Sequence, residues 1–493
     1  MKKGKLLFLF LLSVLFLLIG TKSSPLYTIN DWYDANCFFT MGKAMFNGMI
    51  PYLDLFEQKG PFLYFIYGIA SFISKTSFIG VFIIEIISYT VFLYYCDKII
   101  KLFIDEKYSY ILLPILSLLI LSSRSFTHGG SCEELAFPMI IFTIYHFLKF
   151  LKTDYISNKE IFEIGITAGL IIWMKYTIIG FHIGFAFILL AKRIKAHNYK
   201  ELAKNICFFF LGILITTIPW LIYFGIRKDG LKSLIDVYFL FNMNSYAEKS
   251  TMISKLLNCF KTIVDVLLKY YQYIILIIIP IFISIKNKLL YQKTINNIYL
   301  LIPTIFMLIT LFIGGISFRY YSLPIQPLMI LGLITIIKLV EKTKINTIII
   351  NNTKIVSVLL IATCLILAYY HSPNTRYLKY TKNDYAQFKF SSQIDKNKTL
   401  LNYGFLDGGF YLTTNSYPTV YYFQKNNVNY NQFPNNIDNQ REYVNKKTTD
   451  YVITTNNIDE ISLTILENNY TLINQFEQIY ESKKITYYLY KVK

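Results

Sequence analysis

Residues Asp31 to Ser74 read DWYDANCFFTMGKAMFNGMIPYLDLFEQKGPFLYFIYGIASFIS. Asp34 stands near the start, and an amphipathic stretch from Asn36 to Phe46 predicts a helix. Gly48 ends that stretch, and Pro51-Tyr52 marks a turn. Asp54, Glu57 and Lys59-Gly60-Pro61 follow, and then an apolar segment too short to cross a bilayer comfortably. A short apolar helix of that kind suits the membrane surface. The stretch therefore reads as a loop, residues 21–77, carrying two interfacial helices with acids and a lysine at headgroup depth.

The flanks give the loop its setting. Before it, Lys2, Lys3 and Lys5 precede a Leu- and Phe-rich run to Gly20, which reads as an uncleaved first span with its N-terminus in the cytoplasm. After it, apolar runs centre near Ile84, Leu116, Ile141, Ile166, Phe185, Ile213, Ile277, Phe306, Leu331 and Leu360. With the first, this makes about eleven spans by the twenty-residue criterion. The chain has 493 residues, 54% of them hydrophobic. Most of the fold is thus expected in the bilayer, as helices whose backbone groups are satisfied internally.

Alternating the sides from a cytoplasmic N-terminus places the lysine clusters on the inner side. These are Lys98, Lys101 and Lys107; Lys149, Lys152 and Lys159; Lys192, Arg193, Lys195, Lys200 and Lys204; Lys286, Lys288 and Lys293; and Lys342, Lys344 and Lys354. Arg227, Lys228 and Lys232 break the rule in a longer outer loop. The net charge of +19 is thereby read as orientation against the cytoplasmic leaflet, with no nucleic-acid partner. The six cysteines are scattered, and no two of the five histidines stand at i,i+4 spacing, so neither a disulfide framework nor an imidazole-rich metal site is indicated.

An odd number of spans leaves the tail, from about residue 371 to 493, outside. Thr399–Phe405, Asp450–Thr454 and Ile485–Val492 read as strands and Ile461–Tyr470 as a helix. The fold class is therefore a mostly α polytopic membrane protein. Residues 1–370 form its transmembrane domain, and residues 371–493 a small extracytoplasmic α/β domain with no catalytic motif of its own. The second outer loop, from Arg124 to Leu135, ends in the adjacent carboxylates Glu133 and Glu134, costly at a membrane boundary unless solvated or used. A third outer turn carries Phe318-Arg319-Tyr320-Tyr321.

These pieces resemble the membrane glycosyltransferases of the GT-C superfamily, in the bacterial branch of the protein O-mannosyltransferases and the lipid A aminoarabinose transferase (family 39-like). The resemblance covers the whole layout, and its most specific part is Asp34, Gly48, Pro51-Tyr52-x-Asp54 and Lys59-Gly60-Pro61. It implies a catalytic Asp34 and a Lys59 facing the donor phosphate. It also implies a second acid at Glu133 or Glu134, and a contribution from Arg319-Tyr320-Tyr321, where relatives often have His at the Tyr320 position.

The residue types suit such chemistry independently. A polyprenyl-phosphate sugar carries a good leaving group, so the reaction needs a base for the acceptor hydroxyl and fixed positive charge where phosphate charge grows. Asp34 is the candidate base. Lys59, then Arg124 and Arg319, are the candidate phosphate cations, with Asp54 and Tyr320 as further substrate contacts. The expected partners are the lipid-phosphate donor, membrane lipid, and a glycan, lipid or protein acceptor. No cofactor is required, although oxygen ligands of this kind can also hold a divalent cation. Each residue has a plainer reading: Asp34 as a helix cap, Asp54 as a turn closer, Lys59 and Lys175 as snorkelling lysines, and the two glutamates as a helix start. A transporter or lipid-glycan flippase, and an O-antigen-type polymerase or ligase, remain the alternatives. Convincing internal repeats are lacking for the first, and a large late outer loop for the second.

Overall fold

The computed structural model describes residues 3–244, 251–341 and 353–493. Lys342 and Lys344, two of the expected inner-loop cations, lie outside the described residues. The chain is mostly helical, with one four-stranded sheet near its C-terminus.

Among the described residues, seven helices are long and apolar enough to cross a membrane. An eighth arises if Ile253–Lys269 and Ile274–Asn287, which meet at 92°, form one bent span. That is fewer than the eleven or so apolar runs in the sequence, for reasons of length. The runs near Ile166 and Phe185 fall in one 38-residue stretch, Asn158–Lys195. The run near Leu116 makes a helix of only 13 residues, with Pro114 inside it, and the described apolar helix near Leu360 is the short Ile355–His371. Each apolar run thus holds a helix, but fewer of the described helices are long enough to span, and hydropathy did not mark Ile253–Lys269.

The chain divides into two compact units. The first comprises Met1–Thr21, Ile84–Pro219 and Ser250–Thr375. Its helices are α1 (Lys3–Gly20), the greater part of α4 (Ile79–Phe103), α5 (Ser109–Leu121), α6 (Cys132–Leu135), α7 (Phe137–Thr153), α8 (Asn158–Lys175), α9 (Gly180–Lys195) and most of α10 (Tyr199–Gly225), with later helices at Leu301–Phe312, Met329–Val340 and Thr353–His371. Asp97 draws Lys5 to 3.1 Å and Lys101 to 2.9 Å, tying α1 to α4 through paired charges.

The second unit comprises Lys22–Ile83, Trp220–Lys249 and Arg376–Lys493. It joins the loop between the first two long helices to the C-terminal tail. The loop forms α2 (Tyr33–Met45) and α3 (Pro61–Ile73). Pro61 occupies the first turn of α3, where its missing N–H costs nothing. The two helices pack backbone to backbone because Gly42 faces Gly68: a Cβ on Gly42 would stand 2.5 Å from both the Gly68 nitrogen and the Tyr64 carbonyl. α2 is buried from Ala35 through Met45, so it is a core helix of this unit. α3 instead exposes Phe65, Ile69, Phe72 and Ile73 along one stripe, the pattern of a helix resting on an apolar surface.

The tail folds into strands β1 (Leu400–Asn402), β2 (Tyr451–Thr455), β3 (Tyr470–Tyr480) and β4 (Lys483–Val492), in spatial order β1-β2-β4-β3. β1 and β2 are parallel; the remaining pairs are antiparallel. Helices Asn435–Asn445 and Glu460–Asn469 flank the strands in sequence. Tyr33, at the start of α2, anchors the loop to this sheet: its hydroxyl lies 2.8 Å from that of Tyr487, and its ring stacks on Tyr480 at 4.3 Å.

Candidate active site

Asp34 sits within the first turn of α2, whose N-cap is Trp32, so it does not act as the cap. Its negative charge there complements the helix N-terminus. The side chain is half-buried and lines a small cleft with Cys37, Phe56, Glu57, Gln58 and Lys59 on one side and Leu406 and Gln424–Asn427 on the other. The enclosed space is about 10 Å³, roughly room for one water.

The path from Gly48 to Gly60 is fixed by a few strong contacts. Tyr52 adopts φ 69°, an uncommon conformation for an aromatic residue that indicates a turn held by its surroundings. Its ring is buried and stacks on Phe224 at 5.6 Å and Tyr238 at 6.3 Å, while its hydroxyl donates to the Lys59 carbonyl. Glu57 accepts from the Lys59 N–H at 2.7 Å and from the Tyr64 hydroxyl. Lys59 is thereby held with its ammonium 5.9 Å from the Phe38 ring centroid, on the same cleft as Asp34. Asp54 does not line the cleft. Its Oδ2 accepts from the Ile50 N–H at 2.7 Å and from Arg227 at 2.6 Å. That ion pair accounts for Arg227, one of the cations outside the inner-loop pattern, and supports the turn-closing reading of Asp54.

Two cleft residues could not be read as such from the sequence. Glu57 was visible but carried no assignable role, because it accepts from the backbone N–H of Lys59 two residues on and from the Tyr64 hydroxyl seven residues on, contacts that no sequence motif marks. Lys425 comes from a tail without a motif and reaches the cleft only through folding; its N–H bonds the Phe405 carbonyl at 2.9 Å. The buried Cys37 thiol, which accepts from Gln424 at 2.8 Å, is pushed well up by burial first and then by the charges of Glu57, Asp407 and Asp34. It is therefore a neutral packing group rather than a nucleophile.

The remaining candidates lie in the first unit. Ser131 caps α6 by accepting from the Glu134 N–H at 3.1 Å, and both glutamates are buried, at 1% and 3% exposure for Glu133 and Glu134. The helix-start reading is thus correct for the backbone, but the carboxyls are not solvated. Glu133 pairs with Lys175 at 2.5 Å. Lys175 lies 3.5 Å above the Tyr321 ring and 5.9 Å from that of Tyr320, so it turns inward to an acid instead of snorkelling. Glu134 accepts from the Gly130 N–H at 2.9 Å and lies within hydrogen-bonding reach of Glu85, which in turn accepts from Thr21 at 2.9 Å. A hydrogen bond between two carboxyls needs a proton on one of them, since ionised carboxylates only accept.

Glu85 sits inside the apolar run of α4, where the sequence gives no cue to a partner. Arg124 and Arg319 are exposed, and both place charge near the Tyr270 hydroxyl. Ser125 joins their two segments, 2.7 Å from Ser322. Among the described residues no group of three or more His, Cys, Asp or Glu side chains is arranged to hold a metal ion.

Spans of this number, with a loop-and-tail α/β unit, define an integral multi-pass membrane protein. Comparison with solved structures agrees: the chain shares the fold of ArnT from Cupriavidus metallidurans. The structure of that protein bound to undecaprenyl phosphate superposes with a TM-score of 0.62 at 9% identity, over 99% of this chain and 98% of that one. Its apo form gives 0.61 at 9% identity, over 98% of both chains. The sequence matches no protein-family model and no curated protein, so the likeness is one of fold.

Proposed function

We propose that the protein transfers a single sugar from a polyprenyl-phosphate carrier to a hydroxyl of a cell-surface glycan, lipid or protein. The observation that carries this reading is the placement of Asp34 and Lys59 on one cleft within an ArnT-like fold. ArnT itself was solved with undecaprenyl phosphate bound, and fold alone does not transfer function, so the weight rests on the site.

In the proposed step the acceptor oxygen attacks the anomeric carbon, and the bond from that carbon to the phosphate oxygen breaks. The polyprenyl phosphate leaves with the electron pair. Asp34 takes the acceptor's proton as attack begins, and Lys59 meets the charge that grows on phosphate. Glu57 acts on Lys59 by fixing its backbone and is a positioning residue. Arg124, Arg319 and Tyr320 are assigned to the donor headgroup. Glu133 is assigned to holding Lys175, and Glu134 to the carboxyl pair with Glu85. One direct displacement inverts the anomeric centre, and no cofactor enters the scheme. The reaction is placed on the outer face, with the N-terminus in the cytoplasm and residues 371–493 outside the membrane domain of residues 1–370.

The test is sugar transfer in membranes with a labelled mixture of polyprenyl-phosphate sugars, comparing the wild type with Asp34→Asn. Loss of about a hundredfold or more, with an unchanged melting midpoint, supports Asp34 as the base. A wild type that consumes no lipid-phosphate sugar would return the transporter reading, and an unimpaired variant would remove Asp34 from the mechanism.

A further inference from the structure

In the first unit, α8, α9 and α10 enclose a cavity of about 200 Å³. Its walls are apolar, formed by side chains such as Ile164, Phe185, Leu189 and Phe209, with His182 and Asn205 as the polar exceptions. α8 and α10 cross tightly where Gly165 meets Gly212: a Cβ on either would come within 2.3 Å of a backbone carbonyl of the other helix. The cavity lies on the Asn205 side of that crossing. Along α9 it runs from His182 to Leu190, about 12 Å of helix rise, close to the ~15 Å of hydrocarbon in one leaflet. At its mouth Ile206 and Phe210 are 43% and 62% exposed.

The Asn205 end is basic. Asn205 is 2% exposed and accepts from the Arg193 Nε at 3.1 Å. Arg193 stands one turn beyond Leu189 and Leu190 and is half-buried. Nε is thus fixed by a residue of the cavity wall, while its terminal N–H groups make no bond to another described residue. Lys195, two residues on, is exposed. Nearby Lys192 and Lys204 are already matched to Asp154 and Glu201, so among the described residues the unmatched charge falls on Arg193, Lys195 and the exposed Lys200.

We propose that this groove binds one anionic glycerophospholipid, its acyl chain in the cavity and its phosphate on the Arg193 guanidinium. An apolar slot of one leaflet's depth, ending at an oriented guanidinium, matches that chemistry and no soluble anion. The groove shares no lining residue with the proposed transfer cleft, and binding does not depend on the transfer reading.

Native mass spectrometry of the full chain in detergent tests it, with phosphatidylglycerol, phosphatidylcholine of the same acyl chains, and inorganic phosphate as probes. The wild type is expected to retain phosphatidylglycerol about fivefold better than phosphatidylcholine. Arg193→Gln should abolish that preference. Ile206→Trp fills the groove from its lipid-exposed mouth, where folding tolerates it, and should lower retention of both lipids roughly tenfold. A headgroup preference that survives Arg193→Gln, or lipid retention unaffected by Ile206→Trp, would overturn the site. Binding of inorganic phosphate equal to that of the lipid would assign Arg193 to a free anion and overturn it as well.

Discussion

The Glu133–Lys175 pair offers a double-mutant cycle whose sign follows from burial. The charges are 2.5 Å apart, with side chains 1% and 12% exposed. At an effective dielectric near 20 their attraction is about 7 kcal/mol, but stripping water from both costs several kcal/mol each, leaving a small net gain. Removing one partner is different, because the other then stays buried and unmatched, at a cost of about 3–5 kcal/mol. The two single variants should not be equal. Glu133→Gln leaves Lys175 over the Tyr321 ring at 3.5 Å, a cation–π contact worth about 0.5–2 kcal/mol. Lys175→Met leaves Glu133 with the Cys132 thiol at 3.0 Å, a weak donor. Lys175→Met should therefore destabilise more than Glu133→Gln, and the double variant less than Lys175→Met alone. The assay is unfolding of the purified full chain in mixed micelles, followed by tryptophan fluorescence. Single effects that sum to the double effect within about 0.5 kcal/mol would refute the argument.

Lys59→Met should lower transfer by about tenfold to a hundredfold while the melting midpoint stays, since only the ammonium is lost from the cleft; unchanged turnover would exclude a phosphate role. Gly42→Ala should destabilise by about 1–3 kcal/mol, because its methyl would meet Gly68 and Tyr64 backbone atoms at 2.5 Å; a neutral result would mean that α2 and α3 can separate cheaply. Lys43 is buried in α2, donates to the Tyr411 carbonyl at 3.0 Å, and has its amine pushed down to about 8 by burial, against the opposing charge of Asp407. Between pH ~8 and ~10.5 the folded state then binds fewer protons than the unfolded chain, so stability should rise with pH across that window, by up to about 3 kcal/mol. Lys43→Met should flatten the rise in melting midpoint, and a variant with the wild-type slope would place the titration elsewhere.

The parts of this fold that were legible in the sequence are those set by local pattern. Long apolar runs marked the helices, Gly48 and Pro51-Tyr52 marked the end of α2 and the turn, and alternating tail segments marked β1, β2 and β4. β3 was missed because Tyr470–Tyr480 is an edge strand exposed through much of its length; with Asn, Gln and Glu among its residues, it presents little hydrophobic alternation. Count was less legible than position, since hydropathy does not see that a run ends at 13 residues, as at Ser109–Leu121. In the site, Asp34 and Lys59 could be singled out because they share one short loop. Their neighbours Gln424 and Lys425 could not: nearly four hundred residues of chain separate them from Asp34, and only the closing of the sheet brings them to the cleft.

That separation also changes what the tail is for. Read alone, residues 371–493 suggest an appended domain, yet they share a compact unit with residues 22–83. Asp407, pushed up by burial, accepts from Thr40 of α2 at 2.6 Å and from the Gly409 N–H at 2.9 Å. Gln424 reaches Cys37, and the Tyr421 hydroxyl donates to the Tyr52 carbonyl at 2.9 Å. The tail thus holds both ends of the loop that presents Asp34 and Lys59. Environment, rather than residue type, then sorts the acids. Glu57 is taken up by a backbone N–H and a tyrosine, Asp54 by Arg227, Glu133 by Lys175, and Glu134 by its carboxyl pair. Asp34, the proposed base, is half-buried on the cleft in the first turn of α2, a position from which a carboxylate can meet an incoming hydroxyl.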